Sequence, residues 1–566
     1  PLKPESDEET ASSPESKAQP AKKEEGGVKK TDEKKTTIDF DGILQRTLAL
    51  PIPPANFVGM ESGKDGILFL QKASIVPEPG ARGVEVLKFE LSKRKVEPLL
   101  AQISGGFRVS SDGERMLYRE GKSWYINPTS ASPKEGQGKL ETASLTIRVD
   151  PRAEWRQMYR EVWRIERDFF YDPHFHGLDI QRAEAVFRPY LDGIASRNDL
   201  NYLFRKMLSY MSVGHMFVRG GWSPKSEAVH VGLLGADYSV EDGRYRISKI
   251  YRGENWNPKL HAPLTQPGVE VKVGDFLLAV NGRQIHAPAN LYRFFQETAG
   301  KQTVLDLASS PDGKGAHQVT IVPVDSETRL RHLAWIDGNR REVDRLSHGR
   351  LAYVYLPDTA HGGFTNFNRY YFAQVGKEGA ILDERFNHGG QLADYIIDAL
   401  RRPVMSRVAT REGEDYSEPT EAIYGPKAMI INQFAGSGGD AMPWYFRKAG
   451  IGPLIGHRTW GGLVGIGGYP PLIDGGRVTA PRWAIYGLMG QWEVENHGIA
   501  PDVPVWQDPA LVREGHDPQL EKAVQVLLEK LKQHPLPNYQ RPPYPDYHPS
   551  LPEPSSQPPG GHSDLN

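Results

Sequence analysis

The chain has 566 residues, 38% hydrophobic and 25% charged, a composition that fits folded globular protein with more than one core. Lys plus Arg (69) nearly balances Asp plus Glu (71), leaving a formal net charge of -2, so nothing global favours nucleic acid or an acidic membrane as partner. Cysteine is absent, which excludes disulfides, a thiol nucleophile and cysteine-ligated zinc. No apolar run is long enough to span a bilayer.

Residues 1–36 are rich in Glu, Lys, Ser and Pro. They bury too little apolar surface to offset chain entropy and are expected to be a disordered charged linker. The chain starts with Pro1 rather than Met, and an N-terminal portion with any targeting signal is expected to be missing. From 37 to 150 the pattern is one of short strands: 66–73, 84–91 and a hairpin over 108–127 that turns on Asp112-Gly113. Such spacing suits propeller blades. Only two or three fit, so they are expected to be terminal blades; a small independent β-domain is the other reading.

Residues 151–225 read as a helical domain. Trp155, Met158, Val162, Ile165 and Phe169 recur at three- or four-residue steps, marking one buried helix face. Asp172-Pro173 breaks that helix, and two more are expected over 183–195 and 198–210. Residues 226–326 resemble a PDZ domain: Gly232-Leu-Leu-Gly235 stands where the peptide-carboxylate loop belongs, and Asn281-Gly282 is a tight-turn signal in its middle. The resemblance makes Gly232, Leu233, Leu234 and Gly235 candidates for binding a peptide terminus through backbone N–H groups. A PDZ domain used only as a packing module is the plainer alternative.

From 327 to 515, strands over 351–356, 379–383 and 428–432 alternate with helices over 392–400 and 439–449, which implies a helix-covered sheet. An amphipathic helix over 518–533 and a Pro-rich, unstructured tail complete the segment 516–566.

The sharpest local feature is Gln433-Phe-Ala-Gly-Ser-Gly-Gly-Asp440. A buried strand runs into a Gly-rich turn, and a helix starts just after Ser437. The free N–H groups and positive dipole end of that helix suit a developing oxyanion. Taken alone, Ser437 reads better as an ordinary serine at a strand–helix turn or N-cap. A second turn, Asn387-His-Gly-Gly390, follows the strand ending at Asp383 and is placed to supply another amide. Among the 17 histidines, His215 in Ser212-Val-Gly-His215 is the leading base, with His388 and His497 as rivals. His174 and His176 form a weak pair better read as surface loop than as metal site. Glu495 is the candidate carboxylate beside the base. Glu412, Glu414 and Asp415 form an acidic loop, read as solvated in preference to a subsite for a basic residue.

From about 38 to about 530 the chain resembles the C-terminal half of the tricorn core protease family. The resemblance is carried by Asn432-Gln-Phe-Ala-Gly-Ser-Gly-Gly-Asp440, by 450–462 and by Asn496-His-Gly-Ile-Ala-Pro-Asp502. It implies a multidomain α+β architecture: partial β-propeller, helical domain, PDZ domain and an α/β, crotonase-like serine protease domain. It implies Ser437 as nucleophile, His215 as base, Glu495 as the supporting carboxylate, and Gly390 and Gly438 as oxyanion-hole amides. Peptide substrates, such as products of larger proteases, a homohexamer and a cytoplasmic setting are implied too, with export left open. No metal or cofactor and no nucleic-acid or membrane partner is expected. Two positions depart from the family pattern. Gly214 stands where the family has a serine directly before the histidine; Ser212, water or another route from Glu495 is expected to compensate. Gly438 replaces an Asp but keeps the backbone N–H. The first departure sustains an alternative, a weak or inactive peptide-binding relative. A tail-specific processing protease is the other alternative, but it calls for a Ser–Lys pair, and Lys448 lies more than two helical turns past Ser437.

Overall fold

The computed structural model describes residues 39–47, 49–73, 83–224, 226–257 and 260–551. The linker expected over 1–36 lies outside these residues. The chain divides into two compact units, one ending at Arg148 and one starting at Val149.

In the first unit, β1 (Phe57–Ser62), β2 (Ile67–Ala73), β3 (Val84–Glu90) and β4 (Lys95–Ile103) form an antiparallel meander in the order β1-β2-β3-β4. This four-stranded sheet has the make-up of a propeller blade. β5 (Gly105–Val109), β6 (Arg115–Glu120) and β7 (Ser123–Pro128) form a second meander, so the expected hairpin over 108–127 is three strands. Phe69, Val86, Phe89, Phe107, Met116 and Tyr118 are buried together. β4 escaped the strand pattern because Pro98 lies inside it.

In the second unit, α1 (Pro151–Phe169) starts on the Asp150 side chain, which accepts the Ala153 N–H, with Pro151 in the first turn. Its buried face includes Met158, Val162 and Ile165. α2 (Ile180–Phe187) gives way to a 3-10 turn over Arg188–Gly193, where Pro189 denies an N–H to the ladder. α3 (Arg197–Leu208) is capped by Ser196 and Asp199 in both directions. β8 (Val218–Arg219) follows.

The PDZ sheet has the path β14-β13-β11-β10-β9 with β12 attached to β11. Its strands are β9 (Ala236–Glu241), β10 (Arg244–Ile250), β11 (Phe276–Val280), β12 (Arg283–Gln284), β13 (Thr303–Ala308) and β14 (His317–Ile321).

The catalytic-type domain is built on a parallel sheet, β15-β16-β19-β20-β24: β15 (Leu351–Tyr355), β16 (Gly379–Asp383), β19 (Lys427–Ile431), β20 (Leu454–Gly456) and β24 (Val503–Pro504). Every residue of β15, β16 and β19 is buried, as a sheet covered on both faces requires. One face packs against α5 (His361–Tyr370), α6 (Ala393–Leu400) and α7 (Gly438–Lys448) through Phe367, Ile396, Met442 and Phe446. The other packs against α4 (Thr328–Ser347) and α9 (Pro518–Gln533) through Val343, Leu520, Val524 and Leu527. Each such side chain contributes on the order of 1.5–3 kcal/mol by leaving water. Small pairs complete the unit: β17 (Ser406–Val408) with β18 (Tyr416–Glu418), β21 (Val464–Gly465) with β23 (Trp483–Ala484), and β22 (Arg477–Val478) with β8. A short helix, α8 (Pro509–Arg513), precedes α9.

α4 and α5 were not legible as helices. The buried positions of α4 include polar Asn339 and Ser347, because its start packs beside the PDZ residues Tyr251 and Ala262 while its end lies on the sheet. Two glycines, Gly362 and Gly363, weaken the helical signal of α5.

The tail over 534–551 has no helix or strand, but it is fastened. Arg541 binds Asp415 through two guanidinium nitrogens and donates to the Thr410 carbonyl. Asp415 is therefore paired within the chain and is not part of a freely solvated loop.

Candidate active site

β16 and β19 are parallel neighbours, with Asp383 opposite Ile430. Their C-terminal ends carry the two Gly-rich turns, at the sheet edge where α/β folds bind ligands. Ser437 has φ 60° and ψ -117°, a conformation costing a non-glycine residue on the order of 1–3 kcal/mol. The surroundings impose it. The Ser437 N–H donates to the Asp440 carboxylate (2.9 Å) and lies 3.1 Å from the Gly462 carbonyl. The Asp440 N–H in turn donates to the Ser437 carbonyl (2.8 Å).

Asp440 is fully buried. Its carboxylate also accepts the Thr459 hydroxyl and the N–H groups of Gly461 (2.8 Å) and Gly462 (3.0 Å). One carboxylate thus ties the start of α7 to the loop over 459–462. Burial raises the Asp440 acid above its ordinary range despite these hydrogen bonds. Asp440 was legible only as part of a motif; its role follows from donors about 20 residues away in sequence.

The second turn reaches Ser437 directly. A Cβ on Gly389 (φ +86°) would lie 2.6 Å from the Ser437 Cβ, and one on Gly390 (φ +138°) would lie 2.2 Å from the Thr359 carbonyl oxygen. Only glycine fits there. A Cβ on Gly438 would lie 2.7 Å from the Gly390 nitrogen, so the two candidate oxyanion amides are close neighbours. Neither amide donates to a described residue.

His215 is buried, and its own φ is +61°. Trp460 lies against its ring at 5.2 Å between centroids. Burial pushes the imidazole down to about 4, so it is neutral at pH 7 and able to accept a proton. Its backbone is fixed by Thr479, whose hydroxyl donates to the His215 carbonyl.

Glu495 does not bond the imidazole. Its carboxylate accepts the Gly214 N–H (2.6 Å) and the Leu463 N–H, so it holds the backbone just before the histidine. Nδ1 of His215 is buried without a hydrogen-bond partner among the described residues. Ser212, expected as a possible substitute for the missing serine, turns its hydroxyl to the Tyr210 carbonyl (3.4 Å) and does not fill that role.

His215, Ser437, Gly390 and Gly438 line one cavity of about 350 Å³, whose remaining wall is largely apolar and includes Leu463 and Ile485. The rivals are not there: His388 and His497 are exposed and line no part of it. His176 accepts or donates to Tyr171 (2.6 Å), and no group of three or more potential metal-ligating side chains occurs among the described residues. Lys448 pairs with Glu493 (3.0 Å) and does not line the cavity that holds Ser437.

The PDZ loop differs from expectation. The Gly232 N–H donates to the Phe295 carbonyl (2.8 Å) and the Leu233 N–H to the Val324 carbonyl (2.7 Å). The domain's own backbone takes up two of the four amides expected to hold a peptide carboxylate. A larger cavity, about 790 Å³, lies between β14 and the segment near Pro263, and no serine lines it.

Residues 350–505 match peptidase family S41, residues 232–326 the tricorn protease PDZ domain and residues 151–209 the tricorn protease C1 domain. The chain is 34% identical over 516 residues to tricorn protease homolog 1 of Streptomyces coelicolor, covering 88% of this chain and 48% of that protein. It is 30% identical over 515 residues to a putative tricorn-like protease C-terminal subunit of Sulfurisphaera tokodaii, covering 89% and 59%. The crystal structure of the tricorn protease superposes with a TM-score of 0.79 at 27% identity, covering 85% of this chain and 47% of that one. The chain spans about half the length of the curated relatives it matches. Residues 350–505 thus fall in the S41 class of peptidase domains. Within that class it is the tricorn proteases that the chain resembles in sequence and fold.

Proposed function

We propose that the chain is a tricorn-like serine endopeptidase that hydrolyses short, unfolded peptides such as the products of larger proteases. The observation that carries this is the strained Ser437 sharing one cavity with a buried neutral histidine and with two backbone amides that have no other use.

The Ser437 hydroxyl attacks the peptide carbonyl while His215 takes its proton. The N–H groups of Gly390 and Gly438 bind the oxyanion; such donors contribute about 3–4 kcal/mol each where they have been removed singly. His215 then protonates the leaving amine, and water hydrolyses the acyl-enzyme by the reverse sequence. Burial that keeps the imidazole neutral also penalises the imidazolium formed during attack. Glu495 supports the site through the backbone of Gly214 rather than by touching the ring. The family resemblance adds homohexameric assembly and a cytoplasmic setting to this proposal; among the described residues no helix is long and apolar enough to cross a membrane.

Covalent trapping tests the assignment. An aryl fluorophosphonate is expected to form one adduct, on the peptide containing Ser437, with none in Ser437→Ala and labelling at least 100-fold slower in His215→Ala. An adduct on another residue would remove Ser437 as the nucleophile.

A further inference from the structure

Three carboxylates meet at the C-terminal ends of β16 and β19, and their surroundings differ. Asp383 is ion-paired with Arg385 (2.6 Å), whose guanidinium also binds Asp517 (2.9 Å). Asp440 receives four donors, as described. Glu384 lies between Asp383 and Arg385 in sequence, is fully buried, and has no hydrogen-bond partner on either carboxylate oxygen among the described residues.

Its place in the backbone matters. The Glu384 N–H donates to the Ile430 carbonyl of β19, and its carbonyl accepts the Asn387 N–H that opens the turn to Gly389 and Gly390. Asn387 Nδ2 and Thr359 Oγ1 are also buried without partners among the described residues. Both lie behind the oxyanion hole. A Cβ on Gly438 would sit 1.9 Å from Thr359 Oγ1, and one on Gly439 would sit 3.0 Å from the Asn387 Cβ. Asn387 Oδ1 in turn accepts the Gly389 N–H (2.9 Å).

We propose that Glu384 is a positioning residue of the oxyanion hole that acts as the neutral carboxylic acid. A buried carboxylate with neither cation nor donor is too costly to persist, and such a group takes up a proton instead. The charged groups facing it are Asp440 and Asp383, both acidic, and the adjacent cation, Arg385, is engaged by two aspartates. Burial first, then Asp440 and Asp383, hold the Glu384 acid well above the ordinary range. The neutral acid both donates and accepts. Through its carbonyl, which accepts the Asn387 N–H, Glu384 braces the turn that presents the Gly390 N–H.

The positioning role rests on the peptidase reading above; the neutral acid does not, and the experiment separates them. The folded-state pKa is raised above that of the unfolded chain, so the folded state keeps a proton that the unfolded state releases. Stability of the parent must then fall, relative to Glu384→Gln, as pH rises above the unfolded value. The expected divergence is about tenfold in the folding equilibrium per pH unit from about pH 5.5 upward, read by denaturant titration of both proteins at pH 5.5, 6.5 and 7.5. Parallel stabilities across that range would mean an ionised Glu384 and overturn the proposal. In hydrolysis, Glu384→Ala is expected to lower kcat at least 30-fold with KM changed less than threefold, while Glu384→Gln rescues most of that loss. Equal losses in both variants, or no loss in Glu384→Ala, would overturn the positioning role. A parent chain silent in hydrolysis counts against the peptidase reading, and the stability comparison still decides the neutral acid.

Discussion

Gly214 stands where the tricorn resemblance implies a serine, and its surroundings set what a side chain there would meet. Glu495 reaches the backbone N–H of Gly214 instead of a side chain, and Nδ1 of the neighbouring imidazole has no protein partner among the described residues. The φ of Gly214 is not in the left-handed region, so an L side chain is tolerated in conformation. Space is tighter. An added Cβ would lie 3.1 Å from the Gly462 Cα, 3.2 Å from Trp460 and 3.3 Å from Glu495 Oε1. Gly214→Ala measures that crowding alone, and Gly214→Ser adds a hydroxyl beside the carboxylate and the ring. We predict that both variants lose about 1 kcal/mol of stability in denaturant titration, and that the serine variant exceeds the alanine variant in kcat by about tenfold. Equal kcat in the two would mean that the imidazole gains nothing from a hydroxyl there.

At the scale of elements, the Ser437 turn is tied to a loop distant in sequence. Asp440, in the first turn of α7, gathers N–H and O–H groups from Ser437, Thr459, Gly461 and Gly462. Asp440→Asn keeps the shape but turns one acceptor into a donor that faces donors. We predict a stability loss on the order of 2–4 kcal/mol by denaturant titration, together with a kcat loss larger than the change in KM, because the strain at Ser437 relaxes. This network also explains the limits of sequence reading here. β16, β19, α7 and α9 were legible because their buried faces are continuous and their ends carry caps or glycines. The neighbourhood of Ser437, Gly390 and Gly438 was legible from two glycine turns after two strands. Asp440 and Glu384 were not, since a buried carboxylate and a surface one look alike until their donors are known. The contact of Glu495 with backbone rather than imidazole was likewise hidden, because it depends on a fold that brings residue 214 to residue 495.

For the whole molecule, the second unit assembles its site from parts of the chain far apart in sequence. His215 comes from the segment after the helical domain, Gly390 and Ser437 from two sheet turns, and Trp460, Leu463 and Glu495 from the loops beyond. The buried pair Arg197–Asp474 (2.6 Å) ties α3 to those loops, so His215 and Ser437 are positioned by packing across the unit. That dispersal is why the tricorn resemblance, which orders the domains along the chain, conveyed more than any local motif. The central claim is peptide hydrolysis by Ser437, and it is tested most directly with fluorogenic peptides carrying basic, aromatic or small residues before the reporter, offered to the parent chain and to Ser437→Ala. The account predicts hydrolysis by the parent and a loss of at least 1,000-fold in the variant, on the order seen when a catalytic serine is removed; equal rates in the two proteins would contradict it.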